Sequence, residues 1–126
     1  MNFKLKTSAK TMNTLKELQS STGLTPNVIA RLATSLSLLQ PDLPDEKDRD
    51  PNGMEFNRHT LTGQQDLAYR CLIAQRHGRQ VKDEEYFPTL LKRHIDRGTQ
   101  LLADEYKYAG NFERLVRNLI SKGVNR

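Results

Sequence analysis

Four residues, Gly23 to Pro26, constrain this chain more than any others. Gly23 is suited to the left-handed position that ends a helix. Two residues on, Thr25 supplies an N-cap hydroxyl and Pro26 a first helical position whose missing N–H costs nothing. A stop and a start so close together fix two helices joined by a tight turn. The first is expected from an N-cap at Ser8 to about Ser21, with Met12, Leu15 and Leu18 on one face. The second carries Val28, Ile29, Leu32, Ala33, Leu36 and Leu39 at helical spacing. Ahead of both, Phe3 and Leu5 alternate with Lys4 and Lys6, the pattern of a short strand with one apolar and one basic face. The head therefore reads strand, helix, Gly turn, helix.

Charge divides the rest. Residues 1–40 carry five basic side chains against Glu17 alone, a net +4, and residues 41–53 carry five acids against Lys47 and Arg49, a net −3. Residues 54–126 carry 13 basic and 9 acidic residues, a net +4, which completes the formal +5 and accounts for a pI near 9.5. The acidic stretch, PDLPDEKDRDPNG, holds three prolines. Proline removes donors and fixes φ, so an exposed connection is expected there. Over 126 residues this gives one domain: a basic strand-helix-helix head (1–40), an acidic Pro-rich connection (41–53) and a body (54–126). No apolar run approaches the roughly 18 residues of a membrane span. MNFKLKTSAK lacks the apolar segment of a secretory signal. A single cysteine excludes an intrachain disulfide and a cysteine-based zinc site. A reduced, soluble, cytoplasmic protein without a membrane is the expectation.

The body reads as helical. Residues 54–60 suit a short extended piece. Thr62 is placed to cap a helix from about Gly63 to His77, with Leu67, Ala68, Cys71, Leu72 and Gln75 on one side and Gly78 as its stop. Asp83 opens another, which Pro88 interrupts. From Thr89 to about Tyr108 the buried stripe is Leu90, Leu91, His94, Leu101 and Leu102. Asn111 caps a last helix, ended by Gly123, with Phe112, Leu115, Val116, Leu119 and Ile120 inward and Arg114, Arg117 and Lys122 on the polar side. The fold class is mainly α: a ribbon-helix-helix-like strand-helix-helix followed by a helical C-terminal body.

No pattern of catalysis emerges, and neither an enzyme nor a cofactor is expected. Asp48, Asp50, Asn52 and Gly53 match the first, third, fifth and sixth positions of a calcium loop, but the twelfth is His59 where a bidentate carboxylate is required. His59, His77 and His94 form no zinc-binding spacing, and His94 reads as a satisfied core residue. Cys71 shares its helical face with Leu67, Ala68 and Leu72 and reads as packing. Glu84 and Glu85 suit a helix start. A Walker A motif, a GxGxxG loop and a nucleophile elbow are all absent.

The head can be read in two ways. Two copies can pair their strands into a ribbon that enters a DNA groove, with Phe3 and Leu5 in the core, Lys4 and Lys6 outward, and a phosphate held at Thr25, Asn27 and nearby amides. Equally, it suits a basic edge strand on an ordinary helical domain. Charge and geometry nominate Lys4, Lys6, Lys10, Lys16, Thr25, Asn27, Arg31, Arg114, Arg117 and Lys122 as DNA contacts. Association is also expected, because one short strand and several amphipathic helices exceed what so small a core covers.

Three strings add to this reading: MNFKLKTSAKTMNTLKELQSSTGLTPNVIARLATSLSL, EFNRHTLTGQQDLAYRCLI and HIDRGTQLLADEYKYAG followed by a short basic helix. They resemble the DndE family of DNA sulfur modification proteins, over essentially the whole chain. The resemblance implies a place in the bacterial system that replaces a non-bridging phosphate oxygen of DNA with sulfur. In that system a cysteine desulfurase supplies sulfur, an iron–sulfur protein is thought to insert it and an ATPase acts on the DNA. The family's small member carries no recognised catalytic motif. It is similar to a homotetrameric protein that binds duplex DNA and prefers a nick. The expected function is a non-enzymatic DNA-binding subunit acting through phosphate contacts. The alternatives are a ribbon-helix-helix transcriptional regulator and a protein-protein adaptor within the modification complex.

Overall fold

The computed structural model describes residues 3–46 and 49–124. The chain runs β1 (Lys4–Lys6), α1 (Ala9–Thr22), α2 (Pro26–Leu38), β2 (Glu55–Asn57), α3 (Arg58–Leu61), α4 (Asp66–His77), α5 (Leu91–Ala109) and α6 (Phe112–Val124). A tight helical turn at Gly63–Gln65 precedes α4, and a wide one at Glu85–Leu90 precedes α5. The expected mainly helical class with an N-terminal strand-helix-helix is observed. No described helix is long and apolar enough to cross a membrane.

Local chemistry sets the helix ends. The Ser8 hydroxyl accepts the Thr11 N–H at 3.0 Å, and that of Thr25 accepts the Val28 N–H at 3.4 Å. Gly23, Gly78 and Gly110 close their helices at positive φ, where a side chain would be strained. At Pro88 the ring removes a donor and pushes the preceding residue toward extended geometry; Phe87 sits at φ −124° and ψ 119°. That break turns the fully buried Tyr86 and Phe87 into the core.

β1 finds its partner within the chain. It pairs antiparallel with β2, Leu5 opposite Phe56, so the ribbon formed with a second copy is not how this strand satisfies its backbone. Leu5 and Phe56 are buried, but Phe3 stays half exposed and stacks on the His59 ring at 5.9 Å. The acidic connection is less free than expected. Pro44 is buried, the Asp50 carboxylate accepts the Ala9 N–H at 3.0 Å, and Gly53 and Thr7 are joined through the Gly53 N–H and the Thr7 carbonyl at 2.8 Å. A Cβ on Gly53 would lie 2.0 Å from the Ser8 carbonyl oxygen, which requires glycine there. Of the calcium-like loop, Asp48 lies outside the described residues, and Asp50 serves as a cap for α1.

Three helices are turned differently from the expected stripes. On α2 the buried residues include Ala30, Thr34 and Ser37 beside Ile29, Ala33 and Leu36, while Leu32 and Leu39 are only partly covered. The cause is α5, which crosses so closely that a Cβ on Gly98 would lie 1.7 Å from the Ala33 carbonyl oxygen. On α4 the expected inner face points outward: Leu67 is 70% and Leu72 49% exposed, Cys71 is exposed, and Ile73 is buried. The opposite face wins because its polar side chains find partners. Arg70 donates to the Val81 carbonyl at 2.7 Å, Arg76 to the Leu38 carbonyl at 2.6 Å, and His77 meets His94. The α-helix also begins later than Gly63, because the Thr62 hydroxyl donates to Asp66 and does not cap. α6 runs through Gly123, burying Leu115 but leaving Phe112, Val116 and Ile120 exposed.

Gly98→Ala should force α2 and α5 apart. We expect a loss of about 3 kcal/mol, the upper range for overpacking, read as a lowered midpoint in urea. An unchanged midpoint would refute the close crossing.

Candidate nucleic-acid interface

The period that buries Leu5 turns Lys4 and Lys6 to solvent on the same side of β1. Lys4 Nζ lies 3.6 Å from Glu55 Oε2, an exposed pair that contributes little and is easily given up. Lys10 and Lys16 are exposed on α1, about 120° apart around the helix. Among the described residues, Lys6, Lys10 and Lys16 make no ion pair. The head thus presents four cations of which only one is engaged, and weakly.

The other nominated residues are placed differently. The Thr25 hydroxyl is committed to its cap. Asn27 is half-buried, and its side-chain oxygen has no hydrogen-bond partner among the described residues. Arg31 Nη1 donates to the Thr60 and Leu61 carbonyls at 3.1 and 2.9 Å, tying α2 to the end of α3. On α6, Arg114 is exposed, Arg117 pairs with Glu113 at 3.2 Å, and Lys122 pairs with Glu105 at 3.0 Å. Lys6, Lys10 and Lys16 on β1 and α1, and Arg114 on α6, thus make no ion pair among the described residues, while Arg31 is committed to the fold.

Two polar centres have no counterpart among the sequence motifs. Arg58, 8% exposed, sits between two carboxylates: Nη2 donates to Asp66 Oδ2 at 2.8 Å and to Asp83 Oδ1 at 2.7 Å. Tyr86 Oη and Thr62 Oγ1 both donate to Asp66 Oδ1, and the guanidinium lies 4.9 Å from the Phe87 ring centroid. Hydrogen bonds from Arg58 hold the Asp83 carboxyl below its ordinary value. At Asp66, burial pushes upward, but the bonds from Arg58, Thr62 and Tyr86 outweigh it and the net shift is down. Burial raises Tyr86. Every group in the cluster faces a partner, as in a structural clamp.

The second centre is a chain of hydrogen bonds. Arg97 Nε donates to Ser37 Oγ at 2.9 Å, Ser37 Oγ lies 2.8 Å from His94 Nδ1, and His94 Nε2 lies 3.1 Å from His77 Nε2. Two imidazolium rings cannot face one another this way, since both nitrogens would carry protons. Burial first, then the neighbouring His77, Arg97 and Arg76, pushes His94 down to about 3. Burial likewise lowers His77. His94 is the satisfied core residue expected from its position. Neither centre has a usable sequence signal, because Arg58, Asp66 and Asp83, or Ser37 and His94, meet only after folding.

These features define a small helical protein with a two-stranded antiparallel clasp and a lysine-bearing head. The family model described as DNA sulphur modification protein DndE matches residues 4–109. The chain belongs to the DndE family. The fold is similar to the crystal structure of DndE from Escherichia coli B7A, involved in DNA phosphorothioation modification. Identity there is 23% and the TM-score 0.62, over 79% of this chain and 96% of that one. It is also similar to a DndE G21/24K mutant involved in DNA phosphorothioation, at 20% identity and a TM-score of 0.64, over 82% and 99%. No protein of curated function matches the chain.

The two centres give an acid profile. A histidine held neutral by burial withdraws stability as pH falls below its unfolded value of 6.5, so the protein weakens from there downward. Asp66 and Asp83, depressed from 3.8, add their own loss as pH falls below about 4. Arg58→Met should cost about 3–5 kcal/mol at neutral pH by stranding two partly buried carboxylates. As pH falls toward about 4 the variant should regain part of that loss, because its stranded carboxyls, now raised above 3.8, take up protons in the folded state first. Urea midpoints of both proteins between pH 7 and 3 check this; parallel curves would contradict the clamp.

Proposed function

We propose that the protein is a non-enzymatic DNA-binding subunit of the DNA phosphorothioation machinery. It holds duplex DNA, preferentially at a nick, for the sulfur-inserting iron–sulfur subunit and the ATPase. The observation that carries this reading is the head: Lys4, Lys6, Lys10 and Lys16 are exposed around one strand and one helix, with a single weak ion pair among them. Phosphate contact by such cations gives affinity that is strongly salt-dependent and weakly sequence-specific. Membership in the DndE family supports the process. The closed Arg58 and His94 clusters support a role without catalysis, since their polar groups face one another.

The working form is a homotetramer in the cytoplasm. Leu67 and Leu72 on α4, with Phe112, Val116 and Ile120 on α6, leave apolar surface for association, and a tetramer concentrates four copies of the +5 charge. The same surface favours a second reading, an adaptor that docks other modification subunits through α4 and α6. A ribbon-helix-helix regulator has less support, because β1 already has β2 as its partner.

Gel shifts with intact and nicked duplex across a salt series test the proposal, with light scattering to read the assembly. We expect a mass about four times 14.5 kDa and tighter binding at the nick. A K4E/K6E/K10E/K16E variant should stay folded and lose roughly three to four units of salt slope, at about 0.9 per phosphate contact. A folded variant with undiminished affinity would refute the head as the DNA surface. Salt-insensitive or absent duplex binding by the wild type would leave the adaptor reading.

A further inference from the structure

A cavity of about 230 Å³ lies between the first turns of α1, the body of α5 and the acidic connection. Its cationic lining is Lys10, Arg93 and Arg97. Arg97 is largely committed: Nε and Nη2 donate to the Ser37 hydroxyl and carbonyl, and Nη1 donates to the Asp42 carbonyl at 2.9 Å and faces its carboxylate at 3.2 Å. Arg93 is not. A guanidinium carries five N–H donors. The Arg93 side chain is only 17% exposed, yet among the described residues it makes no hydrogen bond, and its one ion pair is to Glu46 Oε1 at 3.9 Å. A cation so enclosed and so poorly matched is costly unless an acceptor completes it.

The acids nearby do not complete it: Asp45 and Asp96 line the cavity, but the ion pair of Arg93 is with Glu46. Asp96 is held by Lys92 at 2.7 Å and by the Ser8 N–H at 3.2 Å. Asp42 and Glu46 are each 79% exposed, so their pairs with Arg97 and Arg93 are weak and cheaply exchanged. An acidic segment lying over a basic groove presents carboxylates where phosphates would otherwise stand.

The geometry points to a second phosphate-binding groove, formed by Lys10, Arg93 and Arg97, whose two arginines are paired with Glu46 and Asp42 in the free protein and which the backbone of bound nucleic acid takes over by displacing those carboxylates. The groove extends the head's surface through Lys10. Its identification as a nucleic-acid site rests on the DNA-binding reading above; its affinity for phosphate does not.

The test neutralises those two carboxylates. D42N/E46Q, confirmed folded by circular dichroism, is compared with wild type for duplex DNA in a salt series and for tripolyphosphate by calorimetry at low salt. We expect about tenfold tighter duplex binding, a salt slope steeper by roughly one to two units, and at least fivefold tighter tripolyphosphate binding. Adding R93Q should cancel the gain with both probes, whereas R93K, which keeps the charge, should retain most of it. A gain that survives R93Q reflects net charge alone and overturns the groove, as does equal tripolyphosphate affinity in wild type and D42N/E46Q. If tripolyphosphate responds and duplex never binds, the groove stands and the DNA reading falls. If wild type binds duplex and neither probe responds to D42N/E46Q, the DNA reading stands and the groove falls.

Discussion

The backbone contact between α2 and α5 organises this molecule. Gly98 leaves room for the Ala33 carbonyl, and no side chain could stand between the two helices at that point. So close a crossing brings Ser37 within reach of both His94 and Arg97. It also sets the end of α2 against cations of other helices. α2 has no basic residue in its last turn, yet its terminal carbonyls at Ser37 and Leu38 accept from Arg97 of α5 and Arg76 of α4. Those guanidinium groups satisfy the orphan acceptors of the helix and complement its dipole. The position of α4, and so which of its faces meets water, follows from that cap.

A division of labour between the two basic residue types results. Arg31, Arg58, Arg70, Arg76 and Arg97 face inward and donate to carbonyls or carboxylates that the fold would otherwise leave unmatched. Their planar forks suit such sites. The lysines of the head stand in water. A net charge of +5 therefore understates the contrast within the molecule, where five arginines are bound into the frame and the four head lysines are presented on it.

The parts legible in the sequence are those fixed by local chemistry. Ser8, Gly23, Thr25 and Pro26 set the ends of α1 and the start of α2 as expected, because caps and positive-φ glycines act within a few residues. Leu15 and Leu18, or Leu91 and His94, are readable as buried because their helices each have one apolar side. α4 defeats the same reading because its hydrophobic stripe, Leu67 to Leu72, competes with a face of Tyr69, Arg70, Arg76 and His77. Hydrogen bonds from Arg70 to the Val81 carbonyl and from Arg76 to the Leu38 carbonyl favour the latter, and the helix's own periodicity contains neither partner. The same limit hides the pairing of Leu5 with Phe56 across a 51-residue separation, and the meeting of Arg58 with Asp83. Of the candidate interface, Lys4, Lys6, Lys10 and Lys16 are visible as a cluster with one acid. Arg93 is invisible, since its significance lies in what it fails to contact.

The central claim is that the lysine-bearing head, and no other basic surface, is the primary seat of DNA. Lysine-reactivity footprinting by mass spectrometry, with and without nicked duplex, tests it most directly. If the head seats the DNA, the duplex protects Lys4, Lys6, Lys10 and Lys16 from acylation and leaves the exposed Lys82 and Lys107 as reactive as before. Protection that spares the four head lysines, or that falls on Lys82 and Lys107 instead, would contradict it.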